Sequence, residues 1–468
     1  MSELARLVVP ALRWDRSHGF AYLEGLIDDA LDLGVGGFVV EGPQAEVMAL
    51  TERLRSASRH PILVAARAER GAGESVEGLT HLPPFAALGG VSVVPQDGSD
   101  VPALDVETVR RAARITVRDL KRVGVNWALA PWCDVEPAAV PRGSGRGASR
   151  AAPPTGVRAA SDDPAVVGAI VAEWIDACQA EAVVACAMEY PGASHVPFTS
   201  AVDAGLASLM VSAQPVPGAP EGAMRSVALF TELRDVLGFD GIAATAMLDR
   251  EPSLAPADEP TAAAAALAAG CDVILAPGNL NGAVDALDAA AVRRDLNGSH
   301  LRAALGRMDR WSGWARAAAA REPSLDDVMW ARQLADRSLS WLSGGRPRVG
   351  GSVEVVRVGD LPAFDDFATT LRAAHVTVNE SASPAAGDRA PLVYLVDPVA
   401  AGWDSGERLR QFASAIAPAI GAGRDVAVVA FAHPRVAATI APIASVLCAW
   451  EATRPMVQAA ARAIVTIR

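Results

Sequence analysis

Lysine is almost missing from this chain. Lys121 is the only one in 468 residues, so arginine carries nearly all the positive charge, and no reactive step can draw on a lysine from elsewhere. Acids outnumber bases, leaving a net charge of −12 and a pI near 5.2. The chain therefore lacks the basic surface that a nucleic acid or an anionic membrane demands. Membrane-length apolar runs are absent as well: Val436–Trp450 stays uncharged for only 15 residues and is broken by Pro442, too short to span a bilayer. Cysteine is sparse. Cys133, Cys178, Cys186, Cys271 and Cys448 form no C-x-x-C pair, are odd in number and fall mostly in apolar segments, where a free thiol acts as a small hydrophobe in a reducing compartment. Met1–Arg6 opens with an acid rather than a basic region before an apolar run, which reads as no signal peptide. These features predict a soluble, cytoplasmic protein with neither nucleic acid nor membrane as partner. Its histidines are scattered, with no H-x-x-x-H or His/Asp cluster to bind a metal. The C-terminal part has no G-x-G-x-x-G after a strand, so no dinucleotide is assigned to it, and no cofactor is expected.

What is present is a large apolar fraction, 51%, against 21% charged residues, enough to bury a sizeable core. Short, nearly continuous β-branched runs alternate with Ala/Arg/Glu-rich helical runs. Strands are predicted at 7–9, 38–40, 62–65, 125–130, 182–187, 208–212, 241–245 and 272–275. Helices are predicted at 21–33, 45–58, 106–123, 165–180, 226–237 and 261–269. Runs of this kind suit parallel strands covered on both faces. Eight strand–helix units in about 300 residues fit a (β/α)8 TIM barrel, with a doubly wound sheet as the alternative. A Pro/Gly/Ser/Arg-rich insert, Glu136–Val157, follows the fourth strand where barrel loops build binding sites. A helical segment over Ser324–Leu342 then leads to Ser343-Gly344-Gly345-Arg346-Pro347, a boundary before strands near 353–358, 375–378, 393–396, 426–431 and 446–450. The expected division is a barrel over 1–320, a helical linker over 321–350 and a smaller parallel α/β sandwich domain over 351–468.

Several segments together resemble glycoside hydrolase family 3, the bacterial β-N-acetylhexosaminidases and β-glucosidases. Gly238-Phe239-Asp240-Gly241-Ile242-Ala243-Ala244-Thr245-Ala246-Met247-Leu248 is similar to G-F-D-G-hydrophobic-x-x-T-D-A-L. Gly124-Val125-Asn126 through Asp134-Val135 is similar to G-V-N-x-x-x-A-P-x-x-D-V. Leu82-Pro83-Pro84-Phe85-Ala86-Ala87-Leu88-Gly89 matches L-P-P-x-x-A-L-G. The resemblance implies a glycosidase scaffold acting on O-glycosyl bonds, and it also implies losses. The family's nucleophilic Asp is Ala246, its sugar-binding Asp is Arg67, and the Lys–His pair of A-K-H-F-P-G-H-G is Met188-Glu189. The loop bearing the acid/base D-S-H is missing between Ser194-His195-Val196 and Pro197-Phe198. Glu69 and Arg158 survive from sugar-contacting segments.

Retaining glycosidases hold two carboxyl groups about 5 Å apart and inverting ones about 6.5–9.5 Å apart, so substitutes for the lost groups must come from strand tips. Glu189, Asp249 and His195 are the rescue candidates; Glu69, Arg67, Asp134, Arg158 and Glu189 are the candidate ligand contacts. The bland alternatives are that Asp249 sits in a loop or caps a helix, that Glu189 pairs with Arg67 or Arg158, that His195 is a hydrogen-bonded loop residue and that Asp134 fixes loop geometry. Asp397 and His433, at strand ends of the second domain, read as caps or turns. Three functions remain open: a pseudoenzyme that binds a carbohydrate or a protein partner, an active glycosidase with relocated carboxylates, and an architectural subunit.

Overall fold

The protein is seen here as a computed structural model that describes residues 3–94, 103–137, 156–251, 254–255, 258–315, 324–359, 361, 363–383, 390–398, 401 and 406–465. Most of the Glu136–Val157 insert lies outside the described residues.

Each apolar run of the first part becomes one stave of a barrel. The staves are β1 (Val8–Val9, resuming as Ala11–Arg13), β2 (Gly37–Pro43), β3 (Leu63–Arg67), β4 (Trp127–Leu129), β5 (Val184–Tyr190), β6 (Ser208–Val211), β7 (Ile242–Thr245) and β8 (Ile274–Leu275). Neighbours pair in parallel from β1 through β7. The ring closes where Ala244 of β7 bridges Val273 and β8 pairs with β1 through Val8–Ile274. Almost every stave residue is buried, because side chains on one face fill the barrel and those on the other meet the helices. The packed helices include α1 (Glu24–Leu33), α2 (Gln44–Ala57), α3 (Val106–Arg122), α4 (Pro164–Gln179), α5 (Val196–Asp203), α6 (Val227–Thr231, continuing as a π-turn over Glu232–Val236), α7 (Glu259–Ala269) and α8 (Leu280–Arg293).

Several motif residues hold these staves together. Asn126 accepts a hydrogen bond from Val64 N at 2.7 Å and donates to Ile62 O at 3.3 Å, stitching β4 to β3. Thr245 Oγ1 accepts from Leu275 N at 3.0 Å, joining β7 to β8. Gly241 is required by close approach, since a Cβ there would lie 2.4 Å from Ala207 O.

Two compact units divide the chain. The first comprises Met1–Thr80, Ser92–Glu136 and Ser161–Ser324; the second comprises His81–Val91, Pro137–Ala160 and Leu325–Arg468. The second is an α/β sandwich around a six-stranded sheet. In chain order its strands are β9 (Ser340–Ser343), β10 (Ser352–Val358), β11 (Thr377–Ser381), β12 (Leu392–Val396), β13 (Val426–Ala430) and β14 (Ser445–Cys448). In space they run β9-β14-β13-β12-β10-β11, parallel except for the antiparallel edge β9. Alternate residues of β12 face opposite ways: Val393 and Leu395 pack with Phe367 and Val457, while Tyr394 and Val396 pack with Phe412 and Ile416. The helical reading of Ser324–Leu342 is corrected here. The helix Leu325–Arg337 stops, and Ser340–Ser343 joins the sheet opposite Cys448 and Leu447. Pairing to a sheet edge outweighed a helix-compatible composition.

A buried ion pair sits inside this sheet. Arg424 donates to Glu354 at 2.5 Å, their side chains 4% and 2% exposed, and Ser381 Oγ donates to the second carboxylate oxygen at 2.5 Å. Glu354→Ala should lower stability by about 3–5 kcal/mol, because the buried Arg424 guanidinium loses the carboxylate that faces it, whereas a Glu354→Met/Arg424→Met pair should recover most of the loss. Denaturant unfolding of the three proteins checks this; a single variant within about 1 kcal/mol of the parent would show that the buried charge is compensated elsewhere.

Candidate active site at the barrel mouth

Strand tips place the charged residues of the first unit. β1 ends in Arg13, β2 carries Glu41, β3 ends in Arg67 and the β7 tip runs on through Ala246 to the turn Leu248–Arg250. For β1, β2 and β3 the charge directly follows a buried apolar residue, where the chain leaves the core for the loop face.

Two ion-pair networks occupy this face. Arg13 forks onto Asp249, with Nη1 on Oδ2 and Nη2 3.2 Å from Oδ1, and its Nε lies 3.5 Å from Glu41. Arg250 reaches the same Glu41 carboxylate at 2.6 Å. In the second network Arg67 meets Glu74 at 2.6 Å and Glu69 at 3.8 Å, while Arg70 meets Glu74 at 2.9 Å. Burial, together with Glu69 beside it, pushes the Glu74 carboxyl above the usual carboxylate range even though Arg67 and Arg70 oppose the shift.

The rescue candidates are placed individually. Asp249 stands in a short 3-10 turn, clamped by Arg13. His195 is the N-cap residue of α5, and its Nδ1 lies 3.1 Å from Glu232 Oε1. Glu189 is half-buried on β5 with φ of 75°. Its strand bulges there, because Met188 and Glu189 together oppose Met210 alone between the pairs Ala187–Leu209 and Tyr190–Val211. Bulges at barrel rims turn a side chain away from its alternating direction, and a left-handed φ on glutamate stores strain of the kind found at functional sites.

Asp134 Oδ1 accepts from Val135 N at 2.8 Å and from Ala193 N at 2.6 Å, fixing the turn after β5. A Cβ at Gly192 would come within 2.8 Å of that same oxygen, and Gly192 has φ of +60°, so the turn demands glycine twice over. Only Pro191–His195 separate β5 from α5, leaving no loop long enough to carry a further acid. Glu69 is buried beside Arg67. Arg158 belongs to the second unit, in its segment Pro137–Ala160. In that unit His433 is the N-cap of Pro434–Ala437 and accepts from Arg435 N at 3.2 Å, while Asp397 O accepts from Ala401 N at 2.9 Å.

Arg13, Glu41 and Glu74 went unnoticed in the sequence. Arg13 and Glu41 carried a signal, a lone charge closing an apolar run; for Glu74 the signal was its four-residue spacing from Arg70. A cavity of about 430 Å³ opens between the β7 and β8 tips, lined by Asp249, Glu251, Glu259 and Asn279 among others. Glu251 accepts from Gln214 at 2.7 Å and buried Glu259 accepts from Asn279 N at 3.2 Å. Among the described residues, no group of three His, Cys, Asp or Glu side chains is arranged for a metal ion, and no helix is long and apolar enough to cross a membrane. All five cysteines are buried free thiols, and burial pushes Cys448 up to about 11.

An eight-stave parallel barrel with charge gathered at its strand tips, in one chain with a parallel α/β sandwich, is the architecture of two-domain glycosidases. The glycosyl hydrolase family 3 N-terminal domain matches residues 30–197 and 193–310, and the chain belongs to that family. It is 25% identical to a β-N-acetylglucosaminidase/β-glucosidase of Cellulomonas fimi over 287 residues, 53% of this chain and 47% of that protein. It is 28% identical to a β-hexosaminidase of Xylella fastidiosa (strain M12) over 301 residues, 58% of this chain and 82% of that one. The match thus spans about half the length of the Cellulomonas enzyme. Among solved structures, a family 3 β-N-acetylglucosaminidase from Paenibacillus superposes with a TM-score of 0.76 at 19% identity, covering 98% of this chain and 95% of the other. A β-glucoside phosphorylase superposes at 0.73 and 15% identity, with 99% and 92% covered; both likenesses concern the fold.

Proposed function

We propose that this chain is a family 3 pseudoenzyme that keeps a carbohydrate-binding cleft but does not hydrolyse glycosides. The observation that carries this reading is the β7 tip: a methyl group, Ala246, follows Thr245, and the next carboxylate along the chain is committed to Arg13. A carboxylate held in a two-point guanidinium fork is a poor nucleophile, because the cation stabilises the charge it must share with an anomeric carbon. The short turn from β5 to α5 supports the same view, since leaving-group protonation needs an acid above the sugar. The cavity beside β7 and β8 has the size of a small-ligand pocket, typically about 300–1,000 Å³, and its carboxylate oxygens suit sugar hydroxyl donors. Glu189, turned by its bulge, is a further carboxylate we assign to ligand contact.

Purified protein should give no appreciable turnover of aryl β-N-acetylglucosaminide or aryl β-glucoside, substrates chosen because the relatives are named for them. A rate of ~1 per second, low but ordinary for an enzyme, that vanishes in Glu189→Gln or Asp249→Asn would favour an active glycosidase instead. Thermal shift against mono- and disaccharides separates binder from architectural subunit: a sugar at 100 times its dissociation constant adds about 2.7 kcal/mol.

A further inference from the structure

One loop of the mouth stands apart from the charged networks. Between β1 and α1 the chain reads Trp14-Asp15-Arg16-Ser17-His18-Gly19-Phe20-Ala21-Tyr22, three aromatics in nine residues of a chain that is only 5% aromatic. Trp14 N donates to Glu41 O at 2.8 Å, and Asp15 and Gly19 exchange backbone bonds at 3.0 and 2.8 Å. Asp15 Oδ1 accepts from Ser17 N at 2.8 Å and from His18 N at 3.0 Å. Trp14 and Phe20, both half-buried, rest against Gly42 of β2. A Cβ at Gly42 would lie 2.6 Å from Trp14 Cβ and 3.2 Å from Phe20 Cζ. The two rings and these bonds give the loop a fixed base.

Tyr22 follows in a 3-10 turn, Ala21–Leu23, and is 53% exposed. The chain's other tyrosines, Tyr190 and Tyr394, are 1% and 4% exposed. The Tyr22 hydroxyl donates to Arg13 O at 2.6 Å, so the surface it leaves open to water is mainly ring. A lone exposed aromatic is ordinary and by itself signals nothing. This one is tethered at both ends, by its backbone turn and by its hydroxyl. A ring already held in place loses little conformational freedom when a ligand stacks on it.

Arg13 joins this ring to the cavity. Its carbonyl takes the Tyr22 hydroxyl, while its guanidinium holds Asp249, which lines the space at the β7 and β8 tips. One arginine, a length close to that of a pyranose ring, therefore separates the two. β8 pairs with β1, so a saccharide leaving the cavity on the β8 side meets the β1–α1 loop next. A pyranose with equatorial hydroxyls carries only C–H bonds on its two faces. Such a face lies flat on an aromatic ring, the usual apolar lining of a small-molecule site. An equatorial β-linkage keeps successive rings in one extended ribbon, which suits a cavity followed by a platform.

We propose that Tyr22 is the platform of a second sugar subsite, so that the ligand is a β-linked oligosaccharide of at least two residues. One residue sits in the cavity against its carboxylates, and the next stacks on Tyr22. This rests on the sugar-binding reading of the mouth and adds the length and ring type of the ligand.

Isothermal titration with glucose, N-acetylglucosamine and the S-linked analogues of cellobiose and chitobiose, which resist hydrolysis, tests this. At least one disaccharide should bind about tenfold more tightly than its monosaccharide, the scale of one aromatic stacking contact. Tyr22→Ala should bring that disaccharide down to the affinity of the monosaccharide. Monosaccharide binding should not change in this variant, which shows its fold and cavity to be intact. Tyr22→Phe keeps the ring and gives up only the tether, so it should lie between the parent and alanine. A loss equal to that of alanine would assign the effect to the bond with Arg13 and overturn the stacking role. Monosaccharide binding with no gain from a second ring, or a gain that survives Tyr22→Ala, would overturn the subsite and leave the sugar cleft standing. No binding of any of these sugars at about 10 mM would overturn the cleft itself, and the subsite with it.

Discussion

Ala246→Asp is expected to release phenol slowly from an activated aryl β-glycoside and to leave an unactivated disaccharide intact. The substitution places a carboxylate directly after Thr245, at the tip of β7. It does not restore protonation of the leaving group, because Pro191–His195 pass straight from β5 into α5. An oxocarbenium-like transition state needs both contributions, and an activated phenol dispenses with only one. Members of a catalytic unit are strongly non-additive, so one restored residue recovers little of the whole. Efficient cleavage of the disaccharide by this variant would reveal an acid already in place, with Glu74, whose carboxyl is pushed up by burial, the first to test by Glu74→Gln.

Asp272→Ala should destabilise the barrel by about 3–5 kcal/mol, the range for removing one member of a buried charged cluster. The Asp272 side chain is fully buried and meets Arg234 at 2.6 Å and Arg307 at 3.1 Å, while accepting from Ala243 N at 2.8 Å. Without it, two guanidiniums repel each other at the entry to β8, and burial already depresses the Arg234 pKa. Asp272→Asn separates the causes. It keeps an acceptor for Ala243 N but no charge, so a loss close to that of alanine assigns the effect to the ions, and a loss near one hydrogen bond, about 1 kcal/mol, assigns it to the backbone link. Denaturant unfolding of the three proteins reads the difference.

The barrel was legible in the sequence because parallel staves buried on both faces leave an uninterrupted apolar mark. Phe38–Val40 and Ser208–Ser212, for instance, announce themselves without any alternation to decode. The edge strand Ser340–Ser343 left no such mark: it is half exposed, and its place depends on Leu447 and Cys448, a hundred residues away. The same holds for the mouth. That Ala246 follows Thr245 could be read from one position, whereas Arg13 and Asp249, 236 residues apart, become partners only when β1 and β7 come round to the same rim. Arg67 likewise meets Glu74, seven positions on, in a turn whose shape the local sequence does not dictate.

The clasp between Arg13 and Asp249 has a consequence beyond chemistry. β8, a mere two residues long, lies between the staves that bear these side chains, and it is the joint through which the ring shuts. A barrel escapes the hazard of free strand edges only while every joint holds. By reaching over the shortest stave, the clasp means that parting there exposes two strand edges only if a paired charge is also torn apart. The side chains clasped at the mouth thus also guard the molecule against recruiting a strand from another chain.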